Sequence, residues 1–182
     1  MADQKSKSRV SDDQYNLLFD VRRSARYHDR RRAFFEQLHR ISATLTVLLA
    51  GSVLFEVARP GETAWWMTGL AIIAAVLAAV DIVMGYVGRA TLHNELKKRF
   101  VSLEMAILSG KDDPETIKQH QIERLRIEKE EPPIFRALDL LCHNELCKAM
   151  GFTREGDGQK HFANLTRWQE LTRHFWPWPD LK

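Results

Sequence analysis

Asp81 is the residue whose position asks most of its surroundings, because it is an acid inside a long apolar run that ends only at Arg89. A carboxylate in hydrocarbon costs at least about 2.5 to 3.5 kcal/mol on insertion scales, so it has to face protein or water. At about 100° per residue its stripe also carries Ala74, Ala78, Gly85 and Gly88, while Ile72, Val76, Val83 and Tyr86 fall opposite. Leu77 and Met84 on the acid's side, and Ala79 opposite, blur the contrast. Small residues three and four apart let helix backbones approach closely in a membrane. Two readings follow. In the first, several copies associate, the Asp81 stripes converge on a central pathway, and the acids form a ring near its inner mouth, as in cation channels. In the second, Asp81 bonds Ser42, Thr44, Thr46 or Ser52 of the preceding apolar segment and only ties two helices together.

Two further groups carry charge and rings together. Arg22, Arg26 and Arg30 are spaced by four, with Tyr27 and His28 beside them. Forked guanidinium contacts and a stacking ring suit a phosphate-bearing ligand. The same arginines also suit a positive anchor next to a span, or anionic lipid headgroups. In the tail, Arg167, Trp168, Arg173 and Trp176 lie near His174 and Trp178. These indoles either stack bases, sit at a lipid interface, or pack a small helical domain or a subunit contact.

Catalysis has no comparable support. Cys142 and Cys147 are five apart, a poor spacing for a shared metal on one helix, and in a cytosolic segment they stay reduced. His93-Asn94-Glu95-Leu96 recurs as His143-Asn144-Glu145-Leu146, but histidine and glutamate two apart do not share a helix face. A nucleophile elbow, a phosphate loop and a paired zinc motif are all absent, so no enzyme, metal or cofactor is expected.

The elements that must position these groups are helical throughout. Ile41 to Ala58 is about 27 Å long as a helix, just enough for a hydrocarbon core of about 30 Å. Pro60 and Gly61 break it, and Ala64 to Gly88 is long enough to cross back. Basic residues fix the orientation: Arg22 to Arg40 precede the first span, Arg89, Lys97, Lys98 and Arg99 follow the second, and the turn offers only Arg59. Both termini are therefore expected in the cytosol, with Trp65 and Trp66 at the outer interface. No apolar signal-peptide core occurs in the first 40 residues, so the hairpin itself is expected to direct insertion.

Residues 1–10 read as disordered, and a helix is expected over 11–40, starting at a Ser11–Gln14 capping box. From Arg89 the pattern Leu92, Leu96, Phe100, Leu103, Ile107 predicts an amphipathic stalk, which would extend the second span as one helix of about 45 residues. Asp113-Pro114-Glu115 caps a charged helix with a weak stripe of Ile117, Ile122 and Leu125. Ile134 to Met150 is a cleaner amphipathic helix stopped by Gly151, completing a stalk and bundle over 89–151. A cap over 152–182 ends the chain, its last helix marked by Phe162, Leu165, Trp168, Leu171 and Phe175. The expected fold is an all-α membrane protein, a two-helix hairpin (41–58, 64–88) with cytosolic helices on both sides, assembled as a homo-oligomer.

The segment RRSARYHDRRRAFFEQLHR, the short hairpin and the block IEKEEPPIFRALDLLCHNEL resemble the SLATT family, two-transmembrane effectors of bacterial anti-phage defence. The resemblance covers roughly residues 15 to 150. It implies an oligomeric pore in the bacterial inner membrane, controlled by a nucleotide or single-stranded oligonucleotide signal from a partner nucleotidyltransferase, whose opening kills or arrests the cell. The tail from Phe152 lies outside the resemblance. The competing expectation is a membrane-anchored adaptor that recruits a soluble partner through Ile134 to Lys182.

Overall fold

A computed structural model describes residues 2–57 and 65–181, and every regular element among them is helical. α1 runs over Ala2–Val57, α2 over Trp65–Met84, α3 over Tyr86–Ser109, α4 over Pro114–Glu128, α5 over Arg136–Ala149 and α6 over Arg167–Thr172. A short 3-10 turn, Gly156–His161, lies before α6. The expected turn at Arg59 to Thr63 lies outside the described residues.

Several boundaries depart from the pattern read in the sequence. Residues 1–10 were expected to be disordered, but α1 is helical from Ala2 and passes through Ser11, because nothing between Ala2 and Ser11 breaks a helix. The helix of about 45 residues expected beyond Ala64 runs over Trp65–Ser109, with one left-handed residue inside it, Gly85 at φ +58. The departure is local: the Gly85 N–H still reaches Asp81 O and the Arg89 N–H reaches Gly85 O, both at 3.0 Å. Left-handed backbone suits glycine because it has no Cβ to clash. The last helix is one short turn, Arg167–Thr172, closed by a Thr166–Gln169 capping box, and Phe162 is buried in the loop before it. Ile134 stays outside α5 and is exposed.

The chain divides into two compact units, residues 1–31 with 93–182, and residues 32–92. In the first, Leu17, Val21 and Ala25 of α1 pack with Leu96, Phe100, Leu103 and Ile107 of α3 and with Ile117 and Ile127 of α4. The stalk stripe is thus the middle of a core, apart from Leu92, which is exposed. α4 begins at Asp113, whose carboxylate accepts from the Thr116 N–H at 3.0 Å and is held below its ordinary pKa by the bonds from Thr116. Of the α4 stripe, Ile117 is buried, Ile122 and Leu125 are exposed, and Ile127 fills the core instead. Gly151, at φ +88, terminates α5 while the Phe152 N–H returns to Cys147 O at 3.1 Å.

In the 32–92 unit α1 runs antiparallel to α2 and the start of α3: His39 meets Asp81, Ser42 meets Leu77, and Phe35 stacks on Tyr86. Contacts that run forward along α1 run backward along α2. The helix stretch Trp65–Ser109 is long and apolar enough to cross a membrane, and 6% of its most apolar window is buried, whereas the core helix of a soluble protein is mostly buried.

Candidate functional site

Asp81 has a partner that its surroundings in sequence did not suggest. His39 Nδ1 lies 2.8 Å from Asp81 Oδ2, with 42% of the His39 and 19% of the Asp81 side chain exposed. None of the four hydroxyls proposed for Asp81 takes it: the Ser42 hydroxyl donates to Leu77 O at 3.3 Å and the Ser52 hydroxyl to Leu49 O at 2.8 Å. Thr46 Oγ1 is buried without a hydrogen-bond partner among the described residues. His39 escaped notice because it precedes the apolar run by two residues, yet one helical turn below Ser42 places it level with the acid.

The stripe around Asp81 does not form one uniform surface. Ala74 is buried, Ala78 is half-buried, and Gly85 and Gly88 are exposed. On the opposite side Ile72, Val76 and Val83 are exposed as counted, but Tyr86 turns in toward Phe35 at a ring separation of 6.4 Å.

The arginine face is divided among different neighbours. Arg22 pairs with Glu104 at 2.6 Å and Arg30 with Glu145 at 2.5 Å, so two of the three charges are balanced on α3 and α5. Arg26 has no ion pair among the described residues, and with Arg22, Asp29 and Lys97 it lines a small cleft of about 220 Å³. Tyr27 and His28 are buried, at 3% and 0% exposure, which removes them from any base-stacking role. The Phe135 N–H donates to Tyr27 Oη at 3.0 Å, and burial raises the phenol's pKa. His28 stacks on Phe100, with Nδ1 at 2.9 Å from His93 Nδ1 and Nε2 at 3.0 Å from Glu131 Oε1. With Nε2–H given to the carboxylate, a neutral His28 accepts at Nδ1 from the Nδ1–H of His93. The Arg-Tyr-His-Asp-Arg stretch therefore serves the core as well as the surface.

The repeated His-Asn-Glu-Leu segments acquire a physical sense in this setting. His93 meets His28 of α1, and His143 meets Phe19 of α1 edge-on at 5.1 Å. Each places an imidazole against the same long helix.

The tail is anchored by Arg31, 5% exposed, which donates to His174 O at 2.9 Å and lies over the Phe135 ring at 4.1 Å. Burial, with Arg31, Arg173 and Arg30 nearby, pushes the His174 imidazole down to about 3. Arg167 is exposed, and so are Trp168 and Trp176, at 63% and 60%. Arg173 turns back to Glu170 O at 3.0 Å. Trp178 is held inward by Nε1–H to Thr172 Oγ1 at 3.0 Å, at φ +47. The two tail indoles are therefore open, whereas their arginines do not converge on one point.

The two cysteines are free thiols, and burial pushes Cys142 up to about 12 and raises Cys147. Both stay protonated at neutral pH and are poor nucleophiles. Among the described residues no group of three or more histidine, cysteine or acidic side chains is placed to hold a metal ion. No family model matches the chain, and no curated protein or solved structure is significantly similar to it.

Proposed function

We propose that the protein is an oligomeric, pore-forming effector of the bacterial inner membrane, whose conductance is set by a nucleotide or oligonucleotide signal from a partner nucleotidyltransferase. The observation that carries this is the exposed apolar surface of the 32–92 unit: Ile82 and Val83 are about four-fifths exposed, while the Asp81 carboxylate beside them is 19% exposed and held by His39. That arrangement suits a hydrocarbon solvent outside and a polar seam inside. Ile41 to Ala58 supplies the second crossing in this reading. Its described part carries the exposed residues Ile41, Leu45, Val47, Leu48 and Leu54. The resemblance of the Arg-Tyr-His-Asp-Arg-Arg stretch to two-span defence effectors supplies the expectation of a nucleotide signal.

A lone hairpin cannot enclose a pathway, so the channel needs several copies with their small-residue faces together. Purification in detergent tests assembly and signal at once: the proposal expects a mass of several subunits and an absorbance ratio at 260 and 280 nm raised by a bound nucleotide. Ala78→Leu is expected to shift the mass toward the monomer and Val83→Leu to leave it unchanged. A monomer that forms a stable complex with a soluble protein and carries no current would favour the adaptor instead.

A further inference from the structure

We propose that the tail over residues 167–176 docks on the headgroup layer of a lipid bilayer and sinks Trp168, Leu171, Phe175 and Trp176 into its apolar edge. All four side chains are 60 to 70% exposed, although they fall within one short segment. α6 ends at Thr172, but its turn goes on, since the N–H groups of Phe175 and Trp176 donate to Thr172 O at 2.9 and 3.0 Å. At about 100° per residue, Leu171 and Phe175 then lie within about 60° of Trp168, and Trp176 lies about 80° to its other side. His174, about 120° from Trp168, is half-buried, and its carbonyl accepts from Arg31. A segment built to face water would place these groups the other way round.

The display is built by the rest of the unit, because a helix this short is not stable alone. Arg31 donates to His174 O at 2.9 Å, the Arg136 N–H to Pro177 O at 3.0 Å and Arg136 Nε to Leu181 O at 3.1 Å. Trp178 is turned inward by its bond to Thr172, while the indole N–H groups of Trp168 and Trp176 make no hydrogen bond among the described residues. A large aromatic side chain offers roughly 150 to 250 Å², so four side chains exposed to this degree present on the order of 500 Å². That matches the largest apolar patch of an ordinary monomer, yet falls short of the roughly 800 Å² that each partner gives to a stable protein interface. A bilayer fits better: a chain already held in it makes the second contact intramolecularly, so a small patch suffices. Indoles with an open N–H at the edge of an apolar patch suit the level where acyl chains meet headgroups. Arg167, exposed and without an ion pair among the described residues, complements anionic headgroups on the flank. Arg31, which holds the tail, is the last residue of this unit on α1, ten before the apolar run that starts at Ile41.

This rests on the reading of the chain as a membrane protein, and the experiment separates the two. Leu171→Cys and, as the control on the exposed side of α4, Ile122→Cys each carry an environment-sensitive fluorophore in the full chain, reconstituted in vesicles of phosphatidylethanolamine and phosphatidylglycerol. The wild type, whose own cysteines are buried, gives the labelling background. The probe at position 171 should emit to the blue of the probe at position 122 and lose intensity to lipids carrying a nitroxide near the top of the acyl chain. Trp168→Gln combined with Trp176→Gln should abolish both signals. A probe at position 171 that emits as in water, a blue shift that the lipid nitroxide does not quench, as between two copies of the chain, or quenching that survives the double substitution would overturn the docking. Extraction with alkaline carbonate reports on the spans: a retained chain with an unquenched probe removes the docking alone, and a released chain whose probe had been quenched removes the spans alone.

Discussion

In the unit of residues 1–31 and 93–182, Phe100, Leu96 and Ile107 are almost wholly buried, and ion pairs such as Arg22–Glu104 and Arg124–Asp20 line its flanks. In the unit of residues 32–92 Phe35 and Met67 are buried, but Val47, Leu48, Leu54, Ile82 and Val83 are largely exposed while the Asp81 side chain is 19% exposed. Both units draw on α1, whose first part buries Leu17, Val21 and Ala25 and whose later part leaves Ile41, Leu45, Val47, Leu48 and Leu54 exposed. The difference teaches that periodicity alone does not say which face is the inside: Val83 and Leu96 are both aliphatic residues on long helices, yet one is 82% exposed and the other 1%.

The contrast breaks most sharply under core truncation. Phe100→Ala removes a fully buried ring that also stacks on His28, and is expected to cost about 3 to 5 kcal/mol. Val83→Leu, at 82% exposure, should leave unfolding in detergent unchanged. Equal losses at the two positions would mean that the 32–92 unit has an ordinary aqueous core. A smaller effect is expected at the polar seam, where a double-mutant cycle on His39→Ala and Asp81→Ala should give a coupling of about 0.5 to 3 kcal/mol. Additive single losses would show that the 2.8 Å contact carries nothing.

Much of this was legible in the sequence, and the failures have specific causes. The stripe Leu96, Phe100, Leu103, Ile107 reads directly as one buried face, and Asp113-Pro114 announces its helix, because both signals are local. Tyr27 and His28 do not serve the ligand reading of the arginine stretch: their adjacency to arginines is visible, but their burial against Leu138, Phe135 and Phe100 comes from segments more than 70 residues away. Gly85 was counted as a small packing residue, and its left-handed backbone leaves no trace in a stripe analysis.

Gly85 offers the next sharpening. Gly85→Ala should cost about 1 to 2 kcal/mol, because an L-residue resists φ near +58 even where nothing crowds its Cβ. Gly51→Ala, in open space on the helical backbone of α1, should be neutral or stabilise by up to about 1 kcal/mol. Thermal unfolding of both in one detergent compares them, and equal behaviour would count against the backbone break.

pH separates the unit of residues 1–31 and 93–182. His174 is held neutral, with its pKa lowered to about 3 from about 6.5, so its contribution is complete above about pH 6.5 and is lost as the pH falls toward 3. Urea unfolding at pH 7 and pH 4.5 should show the wild type losing more stability on acidification than His174→Gln does. Parallel losses in the two proteins would remove His174 from the account.

Ion selectivity in planar bilayers tests the central claim most directly, through the reversal potential of wild type and Asp81→Asn under a salt gradient. The account predicts a cation-selective current whose reversal potential moves toward zero in Asp81→Asn, with the variant still inserted and assembled. An unchanged reversal potential, or no current from the assembled wild-type protein with or without nucleotide, would contradict it.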